Sequence, residues 1–276
     1  MDLLHYTFFQ NALIGSLLAS IACGIIGTYI VTRRLVFISG GITHASLGGV
    51  GIALYTGFSP LWCTLSFSLF SAMGIQWLAR RGDVREDSAI AVFWTFGMAL
   101  GILFSFLTPG YASDLTTYLF GNILTITGAD LVLLAIVTGL LVLFFVVFLR
   151  PIVSIAFDAN FARSQGLPVM VFEYILMAFV ALTIVATLRI VGIVLALSML
   201  TLPQMTANLF TIRFRGIIWL SILTGMIGCA GGLVTSYFLN VPSGASIIFF
   251  SIIIYVLCKI GRCFFLSLYS RKKRMR

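Results

Sequence analysis

Acidic side chains are almost missing. Eight Asp and Glu stand in 276 residues, and only 9% of the chain is charged. A water-soluble domain carries about 25%, so a soluble fold is excluded. Histidine is scarcer still, with two residues. The five cysteines (Cys23, Cys63, Cys229, Cys258, Cys263) are odd in number and contain no Cys-x-x-Cys pair. They read as small apolar fillers, not as a disulfide framework or a thiolate metal site. No Gly-x-x-x-x-Gly-Lys-Ser/Thr loop occurs, so ATP cannot be held by that route. No His-Glu-x-x-His helix and no Ser/His/Asp set is visible, which argues against a membrane protease. No pair of carboxylates falls inside an apolar run, which argues against a proton- or sodium-driven exchanger. The first five residues lack a basic n-region, against a cleaved signal peptide.

What the chain has in quantity is apolar length. It is 61% hydrophobic, with a mean hydropathy of +1.14. The apolar runs are long and continuous, unlike the alternating ten-residue strands of a membrane barrel. Helices are then the remaining way to satisfy the backbone in lipid. The expected fold is all-α, a polytopic helical membrane protein forming one domain over 1–276. Nine spans are predicted, at 8–32, 36–57, 61–79, 88–107, 129–149, 169–188, 191–210, 217–239 and 245–265. Each is close to the ~20 residues that a bilayer core requires. A basic tail follows at 266–276. The net charge of +9 does not point to nucleic acid, because the basic residues cluster between the runs. With the C-terminus in the cytoplasm, 16 of the 17 Lys and Arg fall inside and only Arg189 outside. The positive-inside rule therefore predicts an outer N-terminus and an inner C-terminus.

Two stretches fit no span. Residues 113–128 are too short and polar to cross, and are expected as an interfacial or re-entrant helix on the outer side. Residues 154–168 lie inside. There Asp158 can cap a short helix that stops at Gly166, with Pro168 opening the next span. Such a helix either docks a partner or rests on the lipid headgroups.

Polar side chains within the spans are few and uncharged. His44 sits in the second span among Gly, Ala, Ser and Thr. A histidine in lipid is costly, which makes it a functional candidate; the alternative is a packing histidine bonded to a carbonyl. Thr201, Pro203 and Gln204 cluster in the seventh span with Thr206 and Asn208. Pro203 frees a carbonyl and can kink that helix. A broken helix beside a histidine span lines a path for a small hydrophilic solute, unless these groups serve helix packing alone. Glu173, one turn into the sixth span, is expected to pair with a loop arginine or to snorkel. A neutral imidazole suits zinc better than calcium or magnesium. One histidine is not a four-ligand cage, so a metal would be held loosely, as transport requires.

Several of these features recur in order. They are Arg33-Arg34; His44-Ala45-Ser46-Leu47; Tyr118 to Leu124; Phe157-Asp158-x-x-Phe161-Ala162 with Gly166; Val191-Gly192; Leu202-Pro203; Thr206-Ala207; Gly231-Gly232; and Pro242-Ser243-Gly244. Over about 8–265 the chain resembles the membrane-spanning subunits of bacterial ABC transporters for zinc, manganese and iron(II), the metal-ion permeases of the ABC-3 type. The resemblance implies an inner-membrane, multi-pass permease working by alternating access and performing no covalent chemistry itself. Residues 155–166 would be the coupling helix, through Asp158, Phe161, Ala162 and Gly166. His44 would lie on the metal route, with Thr201 and Gln204 as further candidates, and Arg33, Arg34 and Pro203 would be structural. The implied partners are two copies of an ATPase subunit that binds ATP, a second permease copy in a homodimer, and a metal-binding protein on the outer side. The chain would hold no cofactor, only its transported divalent metal. It departs from the pattern in one place. Many relatives carry an aspartate four residues before the histidine, where this chain has Gly40. Loss of that oxygen ligand leans toward zinc over manganese. The alternatives are manganese or iron(II), a chelated metal or siderophore carried by an ABC permease, and a secondary carrier without an ATPase.

Overall fold

Apolar length and small residues together dictate the architecture. The computed structural model describes residues 7–81, 84–108 and 126–274. Among them are eleven helices, eight of which are long and apolar enough to cross a membrane. They are α1 (Thr7–Thr32), α2 (Val36–Thr56), α3 (Pro60–Arg81), α4 (Glu86–Leu107), α5 (Gly128–Val147), α8 (Val169–Met199), α10 (Phe214–Leu239) and α11 (Ser243–Arg274). The short helices are α6 (Leu149–Phe157), α7 (Ala159–Ser164) and α9 (Leu202–Ala207). The expectation for 113–128 falls outside the described residues, except at its last three. There Thr127 caps α5, its hydroxyl accepting from the Asp130 backbone N–H while the Asp130 carboxylate accepts from the Thr127 N–H. That reciprocal pair satisfies two donors with no helical partner.

The expected ninth crossing is the seventh in order, and it is broken. The helical stretch Val169–Met199 contains Gly192 at φ 76, ψ 171. That conformation is open to glycine and hardly to any other residue. Leu188 and Ile193, on either side of the break, meet in one cluster with Leu47 of α2. Leu197 then approaches Gly40, closer to the start of α2. The chain has therefore turned back on itself, and descends alongside α2 through Met199 into α9.

Helix α1 is the hub. Ala12, Ala19, Ala22, Ile26 and Tyr29 are fully buried, and Cys23 nearly so. Its serines and threonines satisfy themselves within the helix, as Ser16 does on the Ala12 carbonyl and Thr28 on that of Gly24. Over Ser243–Phe264, helix α11 lies at the periphery with most of its surface exposed.

Two expectations about helix ends need correction. The fifth span does not close at Arg150-Pro151. It ends at Val147, and α6 starts at Leu149 with Pro151 in its first turn, where a missing N–H costs nothing. The helix of the ninth span does not stop near Phe265; α11 carries the basic tail on as far as Arg274. Neither Gly nor Pro interrupts residues 262–274.

Candidate functional site

Helices α2 and α4 meet backbone to backbone. A Cβ on Gly97 would lie 2.5 Å from the Ala45 Cα, and one on Gly101 would lie 2.7 Å from the Leu47 carbonyl oxygen. Gly51 is just as close to Gly101. Small residues at such a seam let two membrane helices approach closely. This contact puts the α2 face that carries His44 against the aromatic side chains of α4.

The result is a stacked pair. The imidazole of His44 and the indole of Trp94 lie with ring centroids 4.5 Å apart and planes within 9°. The Trp94 indole N–H donates to the Met98 sulfur at 3.1 Å. Nδ1 of His44 is buried with no hydrogen-bond partner among the described residues. A satisfied packing histidine would have bonded that atom. Gly40, one turn earlier, sits under the same indole; a Cβ there would lie 3.4 Å from its Cζ3 atom.

The polar residues of the broken crossing lie elsewhere. Gln204 is fully buried, and its Nε2 donates to the Cys23 carbonyl of α1 at 2.7 Å and to that of Met199 at 3.3 Å. Its Oε1 has no partner among the described residues. Thr201 donates back to the Leu197 and Ser198 carbonyls. Pro203 sits in the first turn of α9, and its carbonyl accepts from Thr224 of α10. The hydrogen bonds of Gln204 thus run to α1 and α8, whereas His44 stacks on α4.

At the other end of the bundle a charged clamp ties three helices. The Glu173 carboxylate of α8 accepts from Arg33 of α1 at 3.0 Å, from Gln76 of α3 at 3.2 Å, and pairs with Arg80 of α3. Arg33 also donates to the Ile155 carbonyl of α6 at 3.2 Å. Arg34 is not in the clamp. It takes a positive φ of 60° in the turn between α1 and α2, where the Leu35 N–H returns to the Ile30 carbonyl. The two adjacent arginines thus do separate jobs.

Beside the clamp lies α7. The Asp158 carboxylate caps it, accepting from the N–H groups of Asn160 and Phe161. Ala162 is fully buried against Ile155 and Val169. Gly166, at φ 76, ends the helix while the Leu167 N–H bonds the Ala162 carbonyl. Phe157 and Phe161 point outward, 63% and 57% exposed.

Among the described residues no three His, Cys, Asp or Glu come together to hold a metal. Two parts of the site escaped the sequence. Trp94 carried no signal, since its role depends on which helix α4 packs against. Gln76 and Arg80 were equally silent, although a partner for Glu173 was expected.

A helical bundle with eight helices long and apolar enough to cross a membrane belongs to the class of polytopic helical membrane proteins. Comparison with known proteins takes this further. The model of the ABC 3 transport family matches residues 5–262, and the chain belongs to that family. A membrane protein of Synechocystis sp. is 39% identical, covering 92% of this chain and 90% of its own. The manganese transport system membrane protein MntC of Halalkalibacterium halodurans is 38% identical, with 90% and 85% covered. Among solved structures, PsaBC from Streptococcus pneumoniae in complex with Fab superposes with a TM-score of 0.83 at 29% identity, covering 93% of this chain and 92% of that one.

Proposed function

We propose that this permease imports a divalent transition metal, driven by ATP hydrolysed on a separate cytoplasmic subunit in the bacterial inner membrane. The observation that carries the reading is the buried, unbonded Nδ1 of His44 in an otherwise uncharged span. In the tautomer that carries its proton on Nε2, the unbonded Nδ1 keeps an in-plane lone pair for a metal. The metal is cargo, and the chain needs no resident cofactor. Thr201 and Gln204 are further candidates on the route, the unpartnered Oε1 of Gln204 being the available atom.

Helix α7 is suited to docking the ATPase. Its cap and its glycine stop fix its ends, Ala162 anchors it, and Phe157 and Phe161 offer exposed apolar knobs. Motion there reaches the spans through the Ile155 carbonyl and Arg33 into the clamp on Glu173. The full transporter would hold two permease copies, two ATPase chains and an outer metal-binding protein, and would work by alternating access.

Manganese is the better supported cargo, since a relative at 38% identity is named for it. Zinc is the second reading, favoured by Gly40. An indole lies over that position, so His44 has no carboxylate one turn away, and manganese favours carboxylate and water more than zinc does. The test is uptake by cells stripped of their own importers, with this chain expressed beside its ATPase and binding protein. Manganese, zinc and iron(II) compete in one assay. Saturable uptake of one of them supports the reading. No uptake of any, in a complex that hydrolyses ATP, overturns it in favour of a chelated or unrelated cargo.

A further inference from the structure

His44 is not open to the groove below it. Between the first turns of α2 and α4 lies a cavity of about 380 Å³, lined by Phe37, Asp87, Ile90, Ala91 and Trp94. Trp94 lines it, whereas His44 and Gly40 do not. The indole touches all three parties: it stacks on the imidazole, covers the Gly40 position and faces the cavity. Seven residues separate Asp87 from Trp94, and seven separate Phe37 from His44. Two helical turns, about 10 Å, thus bring each helix from the stacked pair down to the mouth of the groove. That mouth carries a carboxylate.

Resting on the metal-permease reading above, we infer that Trp94 is the gate between His44 and the inner groove, and that Asp87 receives the metal once the gate moves. The indole is well made for this. Among the described residues its N–H is held by a thioether alone, a weak acceptor, so the ring can swing without breaking a strong bond. In the stacked position it holds the imidazole plane still and stands across the way from the ring to the cavity. Swung aside, it opens a path of about two turns to a carboxylate, a ligand that manganese favours over a lone imidazole. Gly40 belongs to the same device, because a side chain at 40 would meet the closed indole.

The first experiment needs no transport. The chain has two histidines, His5 and His44, so carbethoxylation by diethyl pyrocarbonate reads His44 directly, with His5 as internal control. Inside-out membrane vesicles carrying the full chain are treated, and modification is followed by mass spectrometry. W94A is expected to raise the His44 rate several-fold, while W94F, which keeps a stacked ring, stays near the wild type. W94L gives the same opening with a bulkier side chain should W94A not insert. Equal rates in the wild type and in the opened variants overturn the gate. The second experiment is metal uptake by the complete transporter. D87N is expected to lower the maximal rate several-fold while leaving the KM for external metal unchanged; an unaltered rate removes Asp87 from the route. A wild type that carries no metal overturns the permease reading itself, a result separable from the chemical labelling.

Discussion

Replacing Glu173 by alanine leaves two arginines without their counter-ion at the inner end of the bundle. The size of the effect follows from burial. The Glu173 side chain is 5% exposed, but those of Arg33 and Arg80 are 25% and 28% exposed. Removing one partner of a fully buried pair costs about 3–5 kcal/mol, whereas a surface pair is worth roughly 0–1 kcal/mol. Arginines a quarter exposed keep part of their hydration, so the loss should fall between these limits, near ~2 kcal/mol. For a chain of this size that lowers the thermal midpoint by about 3–4 °C. The assay is size-exclusion chromatography of purified protein after graded heating. Two further variants separate charge from packing. R33M/R80M/E173L replaces the whole network with apolar groups and should recover most of the loss, since apolar substitutes for a buried pair are often neutral or better. In a cycle of E173A and R80M, the two losses should not add. An unchanged midpoint in E173A, or strict additivity in the cycle, would refute the clamp as a structural element.

Other outcomes follow from the same geometry. Gly97→Ala places a methyl group against the Ala45 backbone, which cannot shift cheaply; a loss of roughly 1–3 kcal/mol is expected, read as a lower thermal midpoint, whereas Gly139→Ala, with nothing within 4 Å, should be silent. Asp158→Lys removes the cap of α7, worth about 1 kcal/mol, and reverses the charge at its start; ATPase stimulation by the permease should fall while the bundle keeps its midpoint. Gly166→Val forces a β-branched residue to positive φ and should uncouple in the same way; normal stimulation in both variants removes the docking role of α7. Gln204→Leu breaks the tie to the Cys23 carbonyl, and should lower stability more than Thr201→Val, whose bonds stay within one turn.

Much of the fold was legible because a bilayer imposes length. Eight of the nine expected runs match long apolar helices within a few residues at most ends, and the pair Val191-Gly192 falls where the seventh crossing begins. A kink was expected at Pro203; the chain breaks at Gly192, where the sixth and seventh spans were expected to part, and again just before Pro203, which sits in the first turn of α9. Proline at the start of a helix is a comfortable residue, so its presence alone does not locate a kink. The same rule hid α6, where Pro151 reads as a stop and serves as a start. Asp158 and Gly166 were legible because capping and positive φ are local properties. His44 stood out because a titratable group in lipid is rare. Trp94, Gln76 and Arg80 were not legible, since each acquires its role only from a neighbour on another helix. The spacing of Gly97 and Gly101 on α4 offered a faint sign of a close seam, but not of its partner.

ATP-dependent metal accumulation in proteoliposomes decides whether His44 lies on the route of the cargo. They would hold this chain with its ATPase and outer binding protein, and compare the wild type with His44→Ala. The wild type should accumulate manganese or zinc against a gradient, and His44→Ala should assemble to the same composition yet accumulate several-fold less. Equal accumulation by both would contradict that, and would return His44 to the role of a residue that merely packs against Trp94.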